Sequence, residues 1–140
     1  MQCGTGHSVL DIGCGKGLVL LFFGRLCFDK VAGIEYDKNL SILARDNLEK
    51  VYGRATVYEG DAASFSMYRD YDVFYFYNPF DGTILEKCLD QILSSVEAAP
   101  RKVTVFYCNP VYGEILKNKG FREEGHFYYK TTVFVFRGEK

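Results

Sequence analysis

The sequence predicts a three-layer α/β domain with a mostly parallel seven-stranded sheet and a C-terminal antiparallel hairpin. Three observations predict it. Apolar runs of strand length alternate with helical patterns five times along the chain, as in parallel strands joined by crossover helices. The first run breaks into a loop with Gly13, Gly15 and Gly17, directly ahead of another apolar segment. The last two runs, residues 121–129 and 131–137, are joined at Lys130, which fits an antiparallel pair. All 140 residues read as a single domain, long enough to bury a real core.

Bulk composition narrows the function. The chain is 48% hydrophobic and 25% charged, an ordinary globular balance. A net charge of −1 gives no electrostatic case for tight nucleic-acid binding by this chain alone, although a nucleic-acid partner is not excluded by it. Eleven Tyr and twelve Phe with no Trp sit largely in the apparent strands, where core packing is their first use. Cys3, Cys14, Cys27, Cys88 and Cys108 lack metal-ligand spacing, so no metal site is expected. An odd, scattered set of this kind leads to the expectation of reduced thiols in a cytoplasmic protein. No stretch has the length of a membrane span and the start lacks a signal-peptide pattern, so no membrane partner is expected.

The elements follow in order from residues 9–17 (VLDIGCGKG). An apolar strand carries Asp11 near its end, turns tightly through the glycines and opens a helix read over residues 16–28. Glycine accepts positive φ and lets a ligand touch backbone, and the new helix leaves N–H groups facing the same space. Such a loop binds a nucleotide-like ligand. The spacing G-x-G-x-G differs from the G-x-G-x-x-G of dinucleotide loops, and Asp11 would repel a pyrophosphate. A ligand with a cationic end suits it better.

These residues resemble the class I (Rossmann-like) S-adenosylmethionine-dependent methyltransferases, whose first motif is hydrophobic-Asp-x-Gly-x-Gly-x-Gly. The resemblance implies S-adenosyl-L-methionine as cofactor, with its methionine part near Asp11, Gly13, Cys14, Gly15 and Gly17. It also implies a segment ahead of the first strand that covers the pocket. Only eight residues precede that strand here, so the expectation is a domain lacking the cover: by truncation, by being a minimal enzyme, or with a partner or second copy supplying it.

Residues 30–36 (KVAGIEY) read as a second buried strand, with Glu35 at its tip 18 positions past Gly17. An acid there can accept from both ribose hydroxyls, and Tyr36 joins the candidate cofactor contacts. Asp37 reads as the N-cap of the next helix, which presents Leu40, Leu43, Ala44, Leu48 and Val51 on one face through Tyr52, before Gly53. Residues 55–58 form a short third strand leading to Asp61 and Ala62. The resemblance implies that Asp61 faces the adenine amino group and Ala62 the ring, while a turn Asp after Gly60 is the local alternative.

A polar connection over residues 64–70 precedes residues 72–77 (DVFYFY), whose unbroken apolar run suits a central strand buried on both faces. Asn78-Pro79-Phe80 follows. This motif is similar to the (Asn/Asp/Ser)-Pro-Pro-(Tyr/Phe) motif of amino-group methyltransferases, which implies that Asn78 and Phe80 position the methyl acceptor and that Asn78 borders the cofactor. It departs from that motif by a single Pro, and a strand-ending turn explains it equally. Thr83 with Glu86 reads as a capping box for a helix lined by Ile84, Leu85, Cys88, Leu89, Ile92, Leu93 and Val96. Residues 101–108 form a fifth strand, and Asn109-Pro110 reads as cap and first residue of a short helix ended by Gly120. His7 and His126 read as ordinary surface residues.

The closer resemblance is to small bacterial-type class I methyltransferases that combine D-x-G-C-G-K-G, an N-P-F strand end and a later N-P. The activity implied is methyl transfer to an unidentified acceptor: RNA, protein or small molecule. Two other readings stand beside it, a non-catalytic S-adenosylmethionine-binding module and an NAD-dependent oxidoreductase, the latter disfavoured by Asp11 and the glycine spacing.

Overall fold

A computed structural model of the chain describes residues 4–51, 53–77, 81–127 and 130–138. Its elements run β1 (Ser8–Ile12), α1 (Leu18–Gly24), β2 (Lys30–Glu35), α2 (Lys38–Lys50), β3 (Thr56–Glu59), β4 (Val73–Tyr77), α3 (Gly82–Ala98), β5 (Lys102–Cys108), α4 (Gly113–Asn118), β6 (Arg122–Phe127) and β7 (Thr131–Arg137). The strands join in one sheet of order β3-β2-β1-β4-β5-β7-β6. The pairs β1–β2, β2–β3, β1–β4 and β4–β5 are parallel, and β7 runs antiparallel to both β5 and β6. The expected three-layer, mostly parallel architecture with its terminal antiparallel pair is therefore what the chain forms.

Alternation of side chains along each strand divides the core in two. On one face Val9, Val31, Val57 and Val73 pack against Leu20 and Phe23 of α1 and Ala44 and Leu48 of α2. On the other, Leu10, Ile34, Phe74 and Phe76 pack against Leu85, Leu89 and Ile92 of α3. Both faces of β1 and β4 are covered, so these strands need continuous apolar sequence. The chain moves outward from β1 to β3, then returns to β4 on the other side of β1. The loops after β1 and β4 consequently part, leaving a crevice at the carboxyl ends of the strands.

Several local expectations shift. Lys16 belongs to the glycine loop, since Gly17 caps α1 at φ 85, and the helix is shorter than residues 16–28. Asp37 caps α2 as expected, its carboxylate accepting the Leu40 N–H at 3.0 Å. That helix buries Ser41, Ala44 and Leu48, while Leu43 and Val51 are exposed. Ser41 tolerates burial because its hydroxyl donates to the Lys38 carbonyl at 2.8 Å.

The cap of α3 is Asp81, which accepts the Ile84 N–H at 3.0 Å, and no Thr83–Glu86 box forms. Glu86 instead faces the Lys119 ammonium at 3.5 Å. Asn109 does not cap α4, whose N-cap is Tyr112. It takes φ 54 and its N–H donates to the Lys130 carbonyl at 3.0 Å. The connection before β4 contains two 3₁₀ turns, Ala62–Ser64 and Tyr68–Asp70, and it buries Phe65, Tyr68 and Tyr71. Arg101 holds it down by donating to the Tyr68 and Tyr71 carbonyls at 2.9 and 2.8 Å.

Cys14 and Cys88 are buried free thiols, but Cys27 is disulfide-bonded, so the expectation of a uniformly reduced set fails there. Among the described residues no helix is long and apolar enough to cross a membrane.

Candidate functional site

Three glycines turn the chain from β1 into α1 with φ values of 80, 54 and 85 at Gly13, Gly15 and Gly17. Side chains rarely adopt that region, so the loop needs glycine at each point. The loop is tied to β2 by its amides. Gly13 and Cys14 donate to the Ile34 carbonyl at 2.9 and 3.1 Å. Gly15 donates to Glu35 Oε1 at 2.9 Å, and Asp37 donates to Glu35 Oε2 at the same distance. Glu35 thus organises the loop through charge-assisted hydrogen bonds, and each oxygen keeps a lone pair for a further donor.

Beneath the loop the packing is close. A Cβ on Gly33 would stand 2.6 Å from Cys14 Cβ and 2.8 Å from Leu20 Cδ1, so glycine lets Cys14 lie flat on β2. Burial pushes the Cys14 thiol up to about 12, with Asp11 and Glu35 adding to the effect. It is a packing residue and a poor nucleophile. Asp11 is 3% exposed, and its carboxyl is pushed up to about 7, chiefly by burial and then by the Glu35 charge. This carboxyl is poised to change ionisation state near neutrality.

The crevice forms a cleft of about 540 Å³. Gly13, Glu35 and Tyr36 form one side, and Gly60, Asp61 and Ala62 the other. Ile34, Tyr77 and Ile84 supply apolar surface. The structure therefore brings together five of the residues singled out in the sequence: Gly13, Glu35, Tyr36, Asp61 and Ala62. Cys14, Gly15 and Gly17 shape the loop and Asp11 is buried in β1, but none of the four lines the cleft; Gly17 packs on α2, where a Cβ would meet Ala44 Cβ at 3.3 Å. Asn78 and Phe80 lie outside the described residues.

Asp61 also serves its own turn, accepting the Ala63 N–H at 2.9 Å through Oδ1. The Tyr68 hydroxyl donates to the Ala62 carbonyl at 2.7 Å and fixes this side of the cleft from below. Gly60 donates to the Glu35 carbonyl at 2.9 Å, joining the tips of β2 and β3. Four lining residues were missed by sequence reasoning: Ile34 and Gly60, which sit beside Glu35 and Asp61, and, further along the chain, Tyr77 and Ile84. For the last two the signal was positional: one ends β4 and the other lies in the first turn of α3, both on the carboxyl rim. His7 and His126 pair locally, with Asp72 and Glu123.

The arrangement can take a ligand with hydroxyl and amino donors, a flat apolar part and a cationic end. Residues 9–99 match the family model described as a methyltransferase domain. A TehB-like SAM-dependent methyltransferase from Corynebacterium glutamicum is similar in structure, with TM-score 0.67 and 20% identity over 96% of this chain and 81% of that one. An RNA methyltransferase from Salinibacter ruber in complex with S-adenosyl-L-homocysteine gives TM-score 0.68 and 15% identity, covering 96% and 82%. Magnesium protoporphyrin IX methyltransferase from Synechocystis with bound SAM gives 0.65 and 17%, covering 95% and 70%. A search of curated protein sequences found no significant match.

Proposed function

Because the chain belongs to the methyltransferase domain family, we propose that it binds S-adenosylmethionine in the cleft beside the glycine loop and transfers the methyl group to a nucleophilic acceptor. One observation carries this reading. The polar side chains lining the cleft include the carboxylates Glu35 and Asp61 and, among the described residues, no Lys, Arg or His. A pyrophosphate would be repelled there, whereas a ligand with ammonium and sulfonium groups is attracted. That disfavours a nicotinamide dinucleotide.

The residues fit the cofactor part by part. Glu35 would accept from the ribose hydroxyls with the lone pairs its two backbone donors leave over. Asp61 would accept from the adenine amino group with the oxygen its turn does not use, and Ile34, Ala62 and Ile84 would flank the ring. The glycine loop would hold the methionine part, with Asp11, buried behind it, acting on the ammonium through its charge and not by contact. When bound, S-adenosylmethionine supplies a methyl carbon already activated by its sulfonium, given up as the carbon–sulfur bond breaks and the electron pair stays on sulfur. The protein's own contribution is alignment, so a strong base is not required.

Asn78 and Phe80 are proposed to position the acceptor, as the N-P-F resemblance implies. The D-x-G-C-G-K-G loop supports placement among the small bacterial-type enzymes of the class.

Calorimetric titration with S-adenosylhomocysteine, with NAD as control, tests it. Glu35→Ala removes the acceptor of two backbone amides as well as the ribose partner. Hydrogen bonds to charged groups are worth about 1.5–3 kcal/mol, so affinity should fall roughly 10- to 100-fold. Binding of NAD in preference to S-adenosylhomocysteine would overturn the reading.

A further inference from the structure

Beyond Tyr77 lies a second recess of about 520 Å³, lined by Tyr75, Tyr77, Cys108, Asn109, Lys130 and Thr131. Tyr77 lines the carboxylate-bearing cleft as well, so one ring borders both cavities. The recess has the opposite electrostatic character. Its lining holds one ammonium, Lys130, and no carboxylate among the described residues. One wall is aromatic, because Tyr75 and Tyr77 alternate on β4 and share a sheet face with their β5 partners Phe106 and Cys108. Burial pushes the Tyr75 phenol up to about 12, with Cys108 and Asp11 contributing, so it remains a neutral donor near pH 7.

The backbone adds an independent observation. Asn109 and Lys130 take φ values of 54 and 56, the non-glycine residues with positive φ among those described. They meet through the Asn109 N–H and the Lys130 carbonyl, at 3.0 Å. Glycine would hold this geometry with less strain, and the chain uses glycine for it at Gly15, φ 54. Asn tolerates this region, but Lys130 is kept there at a cost to the fold, and both side chains line one cavity. Strain of this kind concentrates at ligand sites.

Resting on the methyl-transfer reading, the geometry points to this recess as the acceptor pocket, taking a small planar aromatic molecule that bears a carboxylate. The ring lies against Tyr75 and Tyr77, the carboxylate pairs with the Lys130 ammonium, and the side-chain NH2 of Asn109 donates to it. The volume suits a ligand of that size. An acceptor hydroxyl that takes the methyl would form the new carbon–oxygen bond as the methyl–sulfur bond of S-adenosylmethionine breaks, the electron pair staying on sulfur to leave S-adenosylhomocysteine and the hydroxyl proton passing to water.

The test uses the full chain saturated with S-adenosylhomocysteine and titrated with 4-hydroxybenzoate, followed by calorimetry. Saturable binding is expected, weakened at least about tenfold in Lys130→Gly by loss of one charge-assisted contact, and retained in Lys130→Arg. Lys130→Gly preserves the left-handed turn, and a thermal melt confirms that it folds. Phenol and cyclohexanecarboxylate, lacking the charge or the plane, should each bind at least about tenfold more weakly. Absence of saturable probe binding, binding unchanged in Lys130→Gly, or equal binding of phenol would overturn the proposal. If S-adenosylhomocysteine binds and the probe does not, the acceptor pocket alone falls. If S-adenosylhomocysteine itself fails to bind, the methyl-transfer reading falls and takes the pocket with it.

Discussion

Gly15 and Lys130 have nearly the same backbone angle, φ 54 and 56, on the same rim of the sheet, yet one position holds the smallest residue and the other a long cation. At Gly15 the loop offers its backbone: the amide meets Glu35, and nothing lies within 4 Å of where a Cβ would stand. At Lys130 the side chain occupies the rim of a recess. One half of the rim is built for close approach of a ligand to main chain, backed by carboxylates. The other half accepts strain in order to present side chains, with an ammonium in place of the acids. The difference suggests two ligands of different chemistry, meeting at Tyr77.

The charge side of this contrast gives the largest expected effect. Asp11 is buried under the glycine loop with its carboxyl raised from 3.8 to about 7. The folded chain therefore holds a proton between those values that the unfolded chain has released. The stability from this protonated form is fully present below pH 4 and is lost as pH rises through 7, at up to ~1.4 kcal/mol per pH unit. Urea titrations at intervals from pH 4 to 8 should show that decline, and Asp11→Asn should flatten it. An ammonium near the site favours the ionised form, so S-adenosylhomocysteine, through its α-ammonium, should bind more tightly at pH 8 than at pH 6. Calorimetry in buffers of different ionisation enthalpy would show proton release on binding. If pH leaves both stability and affinity unmoved, the acidic half of the contrast fails.

Next in size is the support beneath the loop. Gly33→Ala places a methyl 2.6 Å from Cys14 Cβ, in a layer that Leu20 and Cys14 already fill. Overpacking of this kind costs about 1–3 kcal/mol, read as a lower denaturation midpoint. Because the displaced neighbour is Cys14 in the loop, affinity for S-adenosylhomocysteine should fall with it. A variant that loses stability but keeps full affinity would separate the loop's shape from its packing.

Much of this was legible in the sequence, and the failures have physical causes. The glycine loop, Glu35 and Asp61 could be read because each couples a residue type to a fixed place at a strand end. The α3 cap could not, since Asp81 and Thr83 are both good caps two positions apart and only the path of the chain decides which oxygen meets an N–H. Asn109-Pro110 has the composition of a helix start, but β7 draws the Asn109 amide to Lys130 and delays α4 to Gly113. The recess was hidden for a similar reason. Tyr75, Asn109 and Lys130 meet through the β4–β5–β7 register, a non-local fact with no short motif.

The sharpest use of the comparison exchanges residues between its two sides. Gly15→Ala adds a methyl into open space, so its cost is the left-handed backbone, about 1–2 kcal/mol, offset by roughly 0.5–1 kcal/mol because alanine leaves the unfolded chain less freedom. Lys130→Gly removes the same kind of strain but gives the unfolded chain more freedom, worth roughly 0.5–1 kcal/mol, leaving a net gain of about 0.5 kcal/mol. Paired urea titrations should therefore move in opposite directions, with Gly15→Ala less stable and Lys130→Gly slightly more stable. The gain at Lys130 matters more than its size, because a residue that destabilises the fold where glycine would serve is kept for what its side chain does. If Lys130→Gly instead lowers stability by about 1 kcal/mol or more, the ammonium is a structural contact, and the two halves of the rim differ in packing and not in purpose.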